Sequence, residues 1–390
     1  MRFVLFSYIL LLISSCSESY FDKGKEFTIV EDSITTPFRN VFFEKSITCK
    51  ECHENIYNEF TNSMHYKSTI FRDEIHNAVW EQHPNFKNKT NYNCAQCHAP
   101  ASDNIEAFMT EGKFAFPDKN NESQNEAISC ATCHRIKSIE KHRKANRNIF
   151  EEDFQTYYGI GDGMSHNHSN KNDNKIYFNG DVCMGCHSHK ENSKDYIVGI
   201  TENKTKGKTY ETCITCHMPQ VAGTGTNVRN FKKHFFHGFA GAHSNQEILA
   251  KHVEFSVEKI SKNKIKLRIK NNSSHDLFSH PLRKSFLKMN LIRNGKSVKE
   301  FETIQMERIL ENKKGVAGCT ETTKETKNTL IKGDKTTIIT LEFPLQKNDK
   351  LKVEFGYQLV KEEFIEKLNL NDNSTFSEYR LLKKEIIELK

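Results

Sequence analysis

Residues 130–134 read Cys-Ala-Thr-Cys-His, and this Cys-x-x-Cys-His pattern decides how the first half of the chain is organised. The same spacing recurs as CKECH at 49–53, CAQCH at 94–98, CMGCH at 183–187 and CITCH at 213–217. Two of the twelve cysteines, Cys16 and Cys319, stand outside these copies. A pattern repeated five times in one chain indicates one chemistry performed five times.

The chemistry that fits this spacing is covalent attachment of haem. Two thiols three residues apart form thioethers with one porphyrin, and the histidine that follows binds the iron. A thioredoxin-like dithiol needs no such histidine, and a zinc site needs pairs of CxxC units that close on four ligands. The pattern predicts five covalently bound haem c groups. The attachment residues are Cys49, Cys52, Cys94, Cys97, Cys130, Cys133, Cys183, Cys186, Cys213 and Cys216, and the proximal ligands are His53, His98, His134, His187 and His217.

The sixth position of each iron is open to thirteen further histidines, since the chain has eighteen. A distal histidine gives a six-coordinate haem suited to electron transfer, whereas an empty position lets a substrate bind. The candidates for distal ligation are His65, His168, His237 and His243, with His166 as the alternative to His168, and His83 and His275 as further candidates. The histidines that we interpret as surface or packing residues are His76, His142, His189, His234, His252 and His280.

The N-terminus reads MRFVLFSYILLLISSC and predicts export. Arg2 precedes a short apolar run that ends in two serines, which is typical of a secretory signal peptide over residues 1–15 and is too short to span a bilayer. The segment before Cys16 also resembles the lipobox of bacterial lipoproteins, so we expect Cys16 to be lipidated and residues 16–45 to form a tether. The alternative is an ordinary cleaved signal followed by a coincidental cysteine. No later stretch is apolar enough to cross a membrane.

Composition is consistent with haem as part of the core. Only 36% of the residues are hydrophobic, which is little for a core made of side chains alone. The formal charge of +7 does not indicate a nucleic-acid-binding protein, because the propionates of five haems offset it to about neutrality. The length exceeds one ordinary domain, so two domains are expected.

The second half of the chain predicts strands. Residues 264–270, KIKLRIK, alternate strictly between charged and apolar, as a strand with one buried face does. Asn294-Gly295 between two apolar runs predicts a hairpin. The fold class is therefore α+β: a mostly helical, loop-rich domain over residues 46–248, then an antiparallel β-sandwich over residues 249–390. The final stretch, FSEYRLLKKEIIELK, predicts an amphipathic C-terminal helix. Cys319 is interpreted as unpaired.

These segments resemble the multihaem cytochrome c superfamily that includes tetrahaem carriers and octahaem hydroxylamine oxidoreductases. The resemblance spans residues 46–245 and rests on CKECHENIYNEFTNSMH, CHAP, ISCATCHRI, CMGCH, CITCHMP and HGFAGAH. The segment NNSSHDLFSHPLRKSF is also similar to sandwich domains appended to such cytochromes, although it has Phe278-Ser279-His280-Pro281 where they have Pro-Thr-Gly. This resemblance implies that His275 could reach across to a haem; the alternative is a satisfied loop histidine. Pentahaem nitrite reductases commonly carry a CxxCK motif, but all five motifs here end in His.

The resemblance implies electron transfer between redox proteins in a respiratory chain, with quinol-linked or periplasmic cytochromes as partners and no nucleic acid. The expected location is the periplasm or cell surface of a Gram-negative bacterium, as a lipoprotein of the outer membrane. The alternative is a multihaem oxidoreductase that acts on nitrite, hydroxylamine or tetrathionate at one open haem.

Overall fold

The computed structural model describes residues 39–110, 115–161, 167–201, 212–371 and 373–389. The predicted signal peptide, the lipidation site Cys16, most of the tether and His166 lie outside these residues. Within the described part of the chain, no helix is long and apolar enough to cross a membrane.

The motif region, defined as residues 46–248, consists of short helices and two-stranded sheets joined by loops. The helices are α1 Ser46–Cys49, α2 Glu54–Thr61, α3 Glu74–Gln82, α4 Pro84–Lys87, α5 Ala95–His98, α6 Ile105–Met109, α7 Glu122–Glu126, α8 Cys130–His134, α9 Lys175–Asn179 and α10 Cys213–His217, with a 3-10 helix at Asp181–Gly185. The strands are β1 Ile136–Glu140, β2 Arg147–Phe150, β3 Thr156–Tyr158, β4 Ser169–Lys171, β5 His189–Glu191, β6 Ile197–Ile200, β7 Gln220–Ala222 and β8 Lys233–Phe235. They pair consecutively, and only the β3–β4 pair is parallel among these described pairs.

Local chemistry explains why helix α3 begins where it does. The Asp73 carboxylate accepts hydrogen bonds from the backbone N–H groups of Ile75 and His76 at 3.0 and 3.2 Å, which satisfies donors that the first turn leaves unpaired. The helix then buries Trp80, which is 2% exposed and packs against Tyr92 with ring centroids 4.8 Å apart. This aromatic contact fixes α3 beside the second motif.

The C-terminal part forms two packed antiparallel sheets, which we call the sandwich. A 3-10 helix at Gln246–His252 leads into it. Its elements are β9 Val253–Ser261, β10 Lys264–Asn271, β11 Lys284–Arg293, β12 Lys296–Glu300, β13 Ile304–Asn312, β14 Gly315–Val316, β15 Lys324–Asn328, β16 Thr336–Glu342, β17 Lys350–Gln358, α11 Glu362–Ile365, a 3-10 helix at Ser374–Phe376, and β18 Arg380–Glu388. One sheet has the order β16-β10-β9. The other has the order β14-β13-β11-β17-β18, with β12 paired to β11 and β15 to β13.

The alternation over residues 264–270 is confirmed. Ile265, Leu267 and Ile269 are 0% exposed on the inner face of β10, while the lysines and arginine between them are partly or fully exposed. They meet the inner face of the other sheet, where Leu287 and Phe355 are paired across β11 and β17 and are also fully buried. Each such side chain contributes about 1.5–3 kcal/mol by leaving water. The expected α+β fold class is confirmed by this architecture.

The hairpin at Asn294-Gly295 is also confirmed. Both residues have positive φ, 49° and 76°, and the flanking Arg293 and Lys296 are paired in register. Two consecutive left-handed residues define the turn whose twist matches that of the strands, and Asn followed by Gly adopts it at little cost.

The predicted C-terminal helix is wrong, because residues 380–388 form strand β18. This strand pairs antiparallel with β17, with Leu351 opposite Ile387. Leu, Lys and Glu favour a helix locally, but β17 would otherwise present an unpaired edge to solvent. Pairing of eight of its nine residues outweighs the local preference, and Leu382, at the irregularity in the register, turns inward to the core.

The motif region and the sandwich are joined by hydrogen bonds from side chains to distant backbone. Arg308 of β13 donates to the Val198 carbonyl at 3.0 Å, and Asn192 donates to the Cys319 carbonyl at 2.8 Å. Cys319 itself is a free cysteine, and burial raises the pKa of its thiol. The two parts therefore share a polar interface built from specific donors.

Candidate haem-binding sites

Each of two motif helices starts with a reciprocal cap. The Ser129 hydroxyl accepts from the Thr132 backbone N–H at 3.1 Å, and the Thr132 hydroxyl accepts from the Ser129 N–H at 2.7 Å. Thr212 and Thr215 repeat this arrangement at the start of α10. Such boxes satisfy free donors of the first turn. The third and fifth motifs therefore start as defined single helical turns.

The helical turn brings the three functional side chains of a motif to one side. Residues three and four apart in a helix are neighbours on its surface. The motif histidine N–H donates to the carbonyl of the first motif cysteine in three further motifs: His53 to Cys49 at 2.9 Å, His98 to Cys94 at 3.0 Å and His187 to Cys183 at 2.9 Å. Both thiols and the imidazole of a motif therefore point to a common space.

The motif thiols lie deep in the protein and are nevertheless partly accessible. All ten are free cysteines of intermediate exposure, so no disulfide joins them. Burial raises the pKa of Cys94 to about 12 and that of Cys133 to about 11. Deep groups that retain accessible surface line an internal space, which is what a covalently attached cofactor requires.

Four of the motif histidines have the ring nitrogen Nδ1 hydrogen-bonded to a backbone carbonyl. The acceptors are Gly225 for His53 at 2.7 Å, Ser68 for His98 at 3.0 Å, Tyr158 for His134 at 2.7 Å and Ala240 for His217 at 2.6 Å. A carbonyl can only accept, so Nδ1 carries the proton. In the neutral ring, Nε2 then keeps the lone pair that binds a metal, and the hydrogen bond fixes the ring orientation.

Three motif histidines face a second histidine across a gap of metal-binding size. The ring centroids are 6.0 Å apart for His187 and His65, 6.3 Å for His134 and His237, and 6.1 Å for His217 and His275. A metal–imidazole bond is about 2 Å long. With the ring centroid about 1 Å behind the nitrogen, two imidazoles on opposite sides of one ion lie about 6 Å apart. These three pairs fit that separation.

The partner histidines also have the chemical form of a ligand. Burial lowers the pKa of His65 to about 3 and that of His237 to about 4, so both rings are neutral at pH 7. His237 Nδ1 donates to the Phe235 carbonyl at 2.6 Å, and His275 Nδ1 donates to the Asp276 carbonyl at 3.1 Å. Nε2 therefore remains available in the neutral form of both rings.

The first motif has His168 in its neighbourhood. Burial, and next the charge of nearby His53, lower the pKa of His168. The ring of His168 contacts Tyr157 with centroids 5.0 Å apart. Of the two sequence candidates in this segment, His168 is the one within the described residues.

The second motif is arranged differently from the others. His98 and His76 both donate from Nδ1 to the same Ser68 carbonyl, at 3.0 and 2.9 Å, and their ring centroids are only 3.9 Å apart. His76 Nε2 is 3.3 Å from the Tyr92 hydroxyl. Because both rings are hydrogen-bonded to one carbonyl, they lie side by side, and His76 does not face His98 across a gap.

The candidate His243 lies in a group of cations. The pKa of His243 is lowered to about 4 by burial and then by the charges of Arg283, Arg380 and Lys67. Its backbone carbonyl accepts from Arg380 at 3.3 Å. Within the described parts of the chain, no ring contact joins His243 to a motif histidine. Its role as a ligand stays a prediction.

Other histidines make hydrogen bonds of a different kind. His83 Nδ1 accepts from the Asn85 N–H at 3.0 Å and so caps α4, and His280 Nδ1 accepts from the Leu282 N–H at 3.2 Å. In the neutral ring this leaves the proton on Nε2, which is then unable to bind a metal. His189 Nε2 is 2.7 Å from the Arg143 carbonyl and must donate to it. Among the facing histidines, His237 and His275 instead donate from Nδ1, which leaves Nε2 free in the neutral ring, and sequence alone does not show this difference.

The described residues therefore fit covalent haem at the motifs. Paired thiols on one helical turn match two thioether bonds, oriented motif imidazoles match proximal ligands, and facing imidazoles match distal ligands. Bound haem would supply a one-electron redox centre at each site. The side chains would hold it, orient it and exclude water from it.

Comparison with known proteins agrees with this geometry. Residues 23–147 match the family described as outer membrane cytochrome MtrC/MtrF-like, domains II/IV. No curated protein matches the chain. Among solved structures, a penta-heme cytochrome c552 from Thermochromatium tepidum superposes with a TM-score of 0.66 at 18% identity, covering 89% of this chain and 99% of that one. At this identity the likeness shows the fold.

Two further solved structures align with about a third of the chain. One is a bromine derivative of BhCBM56, with a TM-score of 0.17 at 9% identity, over 35% of this chain and 92% of that one. The other is β-glucosidase 3B from Thermotoga neapolitana, with a TM-score of 0.14 at 13% identity, over 35% of this chain and 15% of that one. Scores this low carry no argument.

Proposed function

From the premise that this chain has the fold of a multihaem c-type cytochrome with a β-domain, we propose that it transfers electrons through five covalently bound haems. The observation that carries the proposal is the set of three histidine pairs about 6 Å apart, each beside a pair of motif thiols. Ligation by two histidines gives a low-spin haem that exchanges electrons without binding a substrate.

Contacts between motifs support a continuous path. Thiols of different motifs lie close enough to shift each other's pKa: Cys130 lowers the pKa of Cys49, and Cys183 lowers the pKa of Cys213. A third contact joins Cys97 of the second motif to Cys186 of the fourth, and it lowers the pKa of Cys97 to about 6. These contacts bring the first motif to the third, the second to the fourth, and the fourth to the fifth.

One aromatic residue connects the third and fourth motifs through their facing histidines. Phe239 touches His65, with ring centroids 4.1 Å apart, and lies 6.0 Å from His237. His65 faces the fourth motif and His237 faces the third. All five motifs thus belong to one connected group, as a path for electrons requires, with the fourth motif in contact with three others.

We assign the distal ligands by these contacts. His168 would serve the first haem, His237 the third, His65 the fourth and His275 the fifth. His275 belongs to the sandwich, between β10 and β11, so the sandwich would complete the fifth site. His243 remains the sequence candidate for the second haem.

We further propose that the protein works outside the cytoplasm. The signal-like N-terminus with Cys16 supports export and lipid attachment, and the matching family is described as outer membrane. Its partners would be quinol-linked or periplasmic cytochromes in a respiratory chain. Labelled fatty acid incorporated by the full-length chain, and not by Cys16→Ala, would test the anchor.

The decisive experiment is the spin state of each haem in the purified holoprotein. We expect five haems per chain, with low-spin ferric signals for the first, third, fourth and fifth. His275→Ala should convert one haem to high-spin, because its iron loses a ligand, while the haem content stays at five. An unchanged spectrum in His275→Ala would refute the assignment of the fifth site.

A second candidate function is reduction or oxidation of a small oxyanion at the second haem. The observation that favours it is the side-by-side arrangement of His76 and His98, which leaves His98 without His76 opposite. His280 lies near both His98 and Arg283: burial, and next the charge of Arg283, lower the pKa of His280 to about 3, with a smaller contribution from His98. The Arg283 guanidinium makes no hydrogen bond or ion pair with any described residue. A deep, unpaired guanidinium favours an anion.

Nitrite binding separates the two candidates. If the second haem has an exchangeable position, nitrite added to the ferric holoprotein should change the spectrum of one haem, and Arg283→Gln should weaken its binding about tenfold or more. Arg268→Gln, which removes an exposed arginine paired with Glu258 on the outer face of the sandwich, is the matched control. A spectrum that nitrite leaves unchanged excludes the second candidate.

A further inference from the structure

The hairpin formed by β7 and β8 is attached through its turn to the first motif and to α2. The Gly225 carbonyl in the turn accepts from His53 Nδ1 at 2.7 Å, and the Thr224 carbonyl accepts from the Asn55 side chain at 3.0 Å. The Asn227 N–H donates to the Cys52 carbonyl at 2.7 Å. One end of the hairpin thus orients the proximal histidine of the first motif.

The other end of the hairpin is held by a single carboxylate on α2. Glu59 Oε1 lies 2.9 Å from His234 Nε2, and Glu59 Oε2 accepts from the His237 backbone N–H at 2.8 Å. His234 Nδ1 donates to the Gly223 carbonyl at 3.0 Å. Both nitrogens of His234 therefore face acceptors, so this ring links the hairpin to Glu59 and is not a metal ligand.

These contacts determine where the His237 ring lies. Its backbone is fixed by Glu59, and its Nδ1 is fixed by the Phe235 carbonyl at the end of β8. With both constraints, the ring faces His134 at 6.3 Å, close to the separation that two ligands of one iron need. A ligand must be held to within about 0.5 Å of its working geometry, and neighbouring hydrogen bonds supply that precision.

We propose that Glu59 is the positioning residue for His237 and that, through the hairpin, it couples the first haem site to the third. This inference rests on the proposed function, since it needs His237 as the distal ligand opposite His134. Glu59 would not itself be a ligand of the iron. It acts by accepting two hydrogen bonds at once, from the His237 backbone and from the His234 ring, with its side chain only 21% exposed.

The test compares variants of the full-length holoprotein by electron paramagnetic resonance and haem content. Glu59→Ala removes both acceptors and should turn one haem of the five from low-spin to high-spin, with haem content unchanged. Glu59→Gln should retain the low-spin spectrum, because its amide oxygen can still accept from the His237 backbone N–H. Glu54→Ala, on an exposed position of the same helix, is the control and should leave the spectrum unchanged.

A fourth variant separates failure of this inference from failure of the proposed function. His237→Ala should produce the same high-spin signal, and if it does not, the His134–His237 ligand pair is wrong. If His237→Ala gives the signal and Glu59→Ala does not, Glu59 has no positioning role. Should Glu59→Ala fail to accumulate, Glu59→Asp decides: its shorter side chain cannot reach both donors, so a partial high-spin signal supports the role and an unchanged spectrum overturns it.

Discussion

The sandwich and the motif region maintain their structure by different means. Among the described residues, the sandwich contributes nearly all of one apolar cluster that includes Leu267, Leu287 and Phe355, each fully buried. The described part of the motif region contributes to two small clusters, one around Trp80 and one in which Ala101 and Ala131 pack with Phe43, just before the region. The sandwich is stabilised by the apolar side chains that its sheets bury, whereas short helices with few apolar contacts need an additional source of buried apolar surface. In the motif region, covalently attached haem would supply this surface.

The largest effect that follows from this difference is the response to loss of haem. When all ten motif cysteines are replaced by Ala, we expect the motif region to lose its fold while the sandwich keeps its own. Limited proteolysis should then leave a resistant fragment that begins near residues 246–252, at the 3-10 helix before β9. The wild-type holoprotein, digested in parallel, should resist throughout. If the motif region stays equally resistant to the protease without haem, haem is not what stabilises it.

A smaller effect is expected from a cavity in the sandwich core. Leu267 is fully buried between the two sheets, so Leu267→Ala should lower the free energy of unfolding of the sandwich by about 2–5 kcal/mol. Urea titration monitored by far-ultraviolet circular dichroism measures it. Lys270→Ala, at an exposed position of the same strand, should change the free energy by about 0.5 kcal/mol or less. A loss below 1 kcal/mol for Leu267→Ala would mean that this core contributes little.

An effect of about 1–3 kcal/mol is expected from a buried carboxylate at the edge of the sandwich. Asp349 is 0% exposed and receives two hydrogen bonds from Arg293, at Nε and Nη2, both 2.8 Å long. The hydrogen bonds from Arg293 hold the pKa of Asp349 below its ordinary value. A depressed pKa in the folded state stabilises the fold above the unfolded value near 4, and this stabilisation is lost as the pH falls below it.

The corresponding variant is Asp349→Asn. It should be less stable than the wild type by about 1–3 kcal/mol at pH 7, because charged hydrogen bonds are lost, and the difference should shrink as the pH falls from 4 towards 2. Urea titrations at several pH values measure it. Glu258→Gln, which removes an exposed partner of Arg268, should show little difference at any pH. A difference for Asp349→Asn that does not depend on pH would contradict the ion pair.

Sequence predicts what is local in this protein. The alternation in β10 and the Asn294-Gly295 turn are confirmed, because burial face and turn type depend on neighbouring residues. The C-terminal segment is different. Residues 380–388 contain helix-favouring Leu, Lys and Glu, yet they form β18 because they pair with the free edge of β17. The local sequence of this segment does not show that such an edge is available.

The candidate site divides in the same way. Thiols and proximal histidine come from one helical turn, so their spacing predicts them. The facing histidines come from elsewhere: His65 precedes His187 by more than a hundred residues, and His275 comes from the sandwich. Among several histidines in polar loops, no spacing rule selects these two. What selects them is their position opposite a motif histidine, which is a property of the fold.

The smallest expected effect concerns His83, which the sequence suggests as a distal ligand but whose hydrogen bond indicates a helix cap. His83 accepts the Asn85 N–H and caps the four-residue helix α4, so His83→Ala should lower the free energy of unfolding by about 1 kcal/mol. His83→Asn, which restores an acceptor at the cap, should recover most of it. Neither variant should alter the spin state of any haem, since a ring that accepts at Nδ1 keeps its proton on Nε2. A high-spin signal in both variants would make His83 a ligand and would show that the motif region rearranges around its cofactors more than its hydrogen bonds indicate.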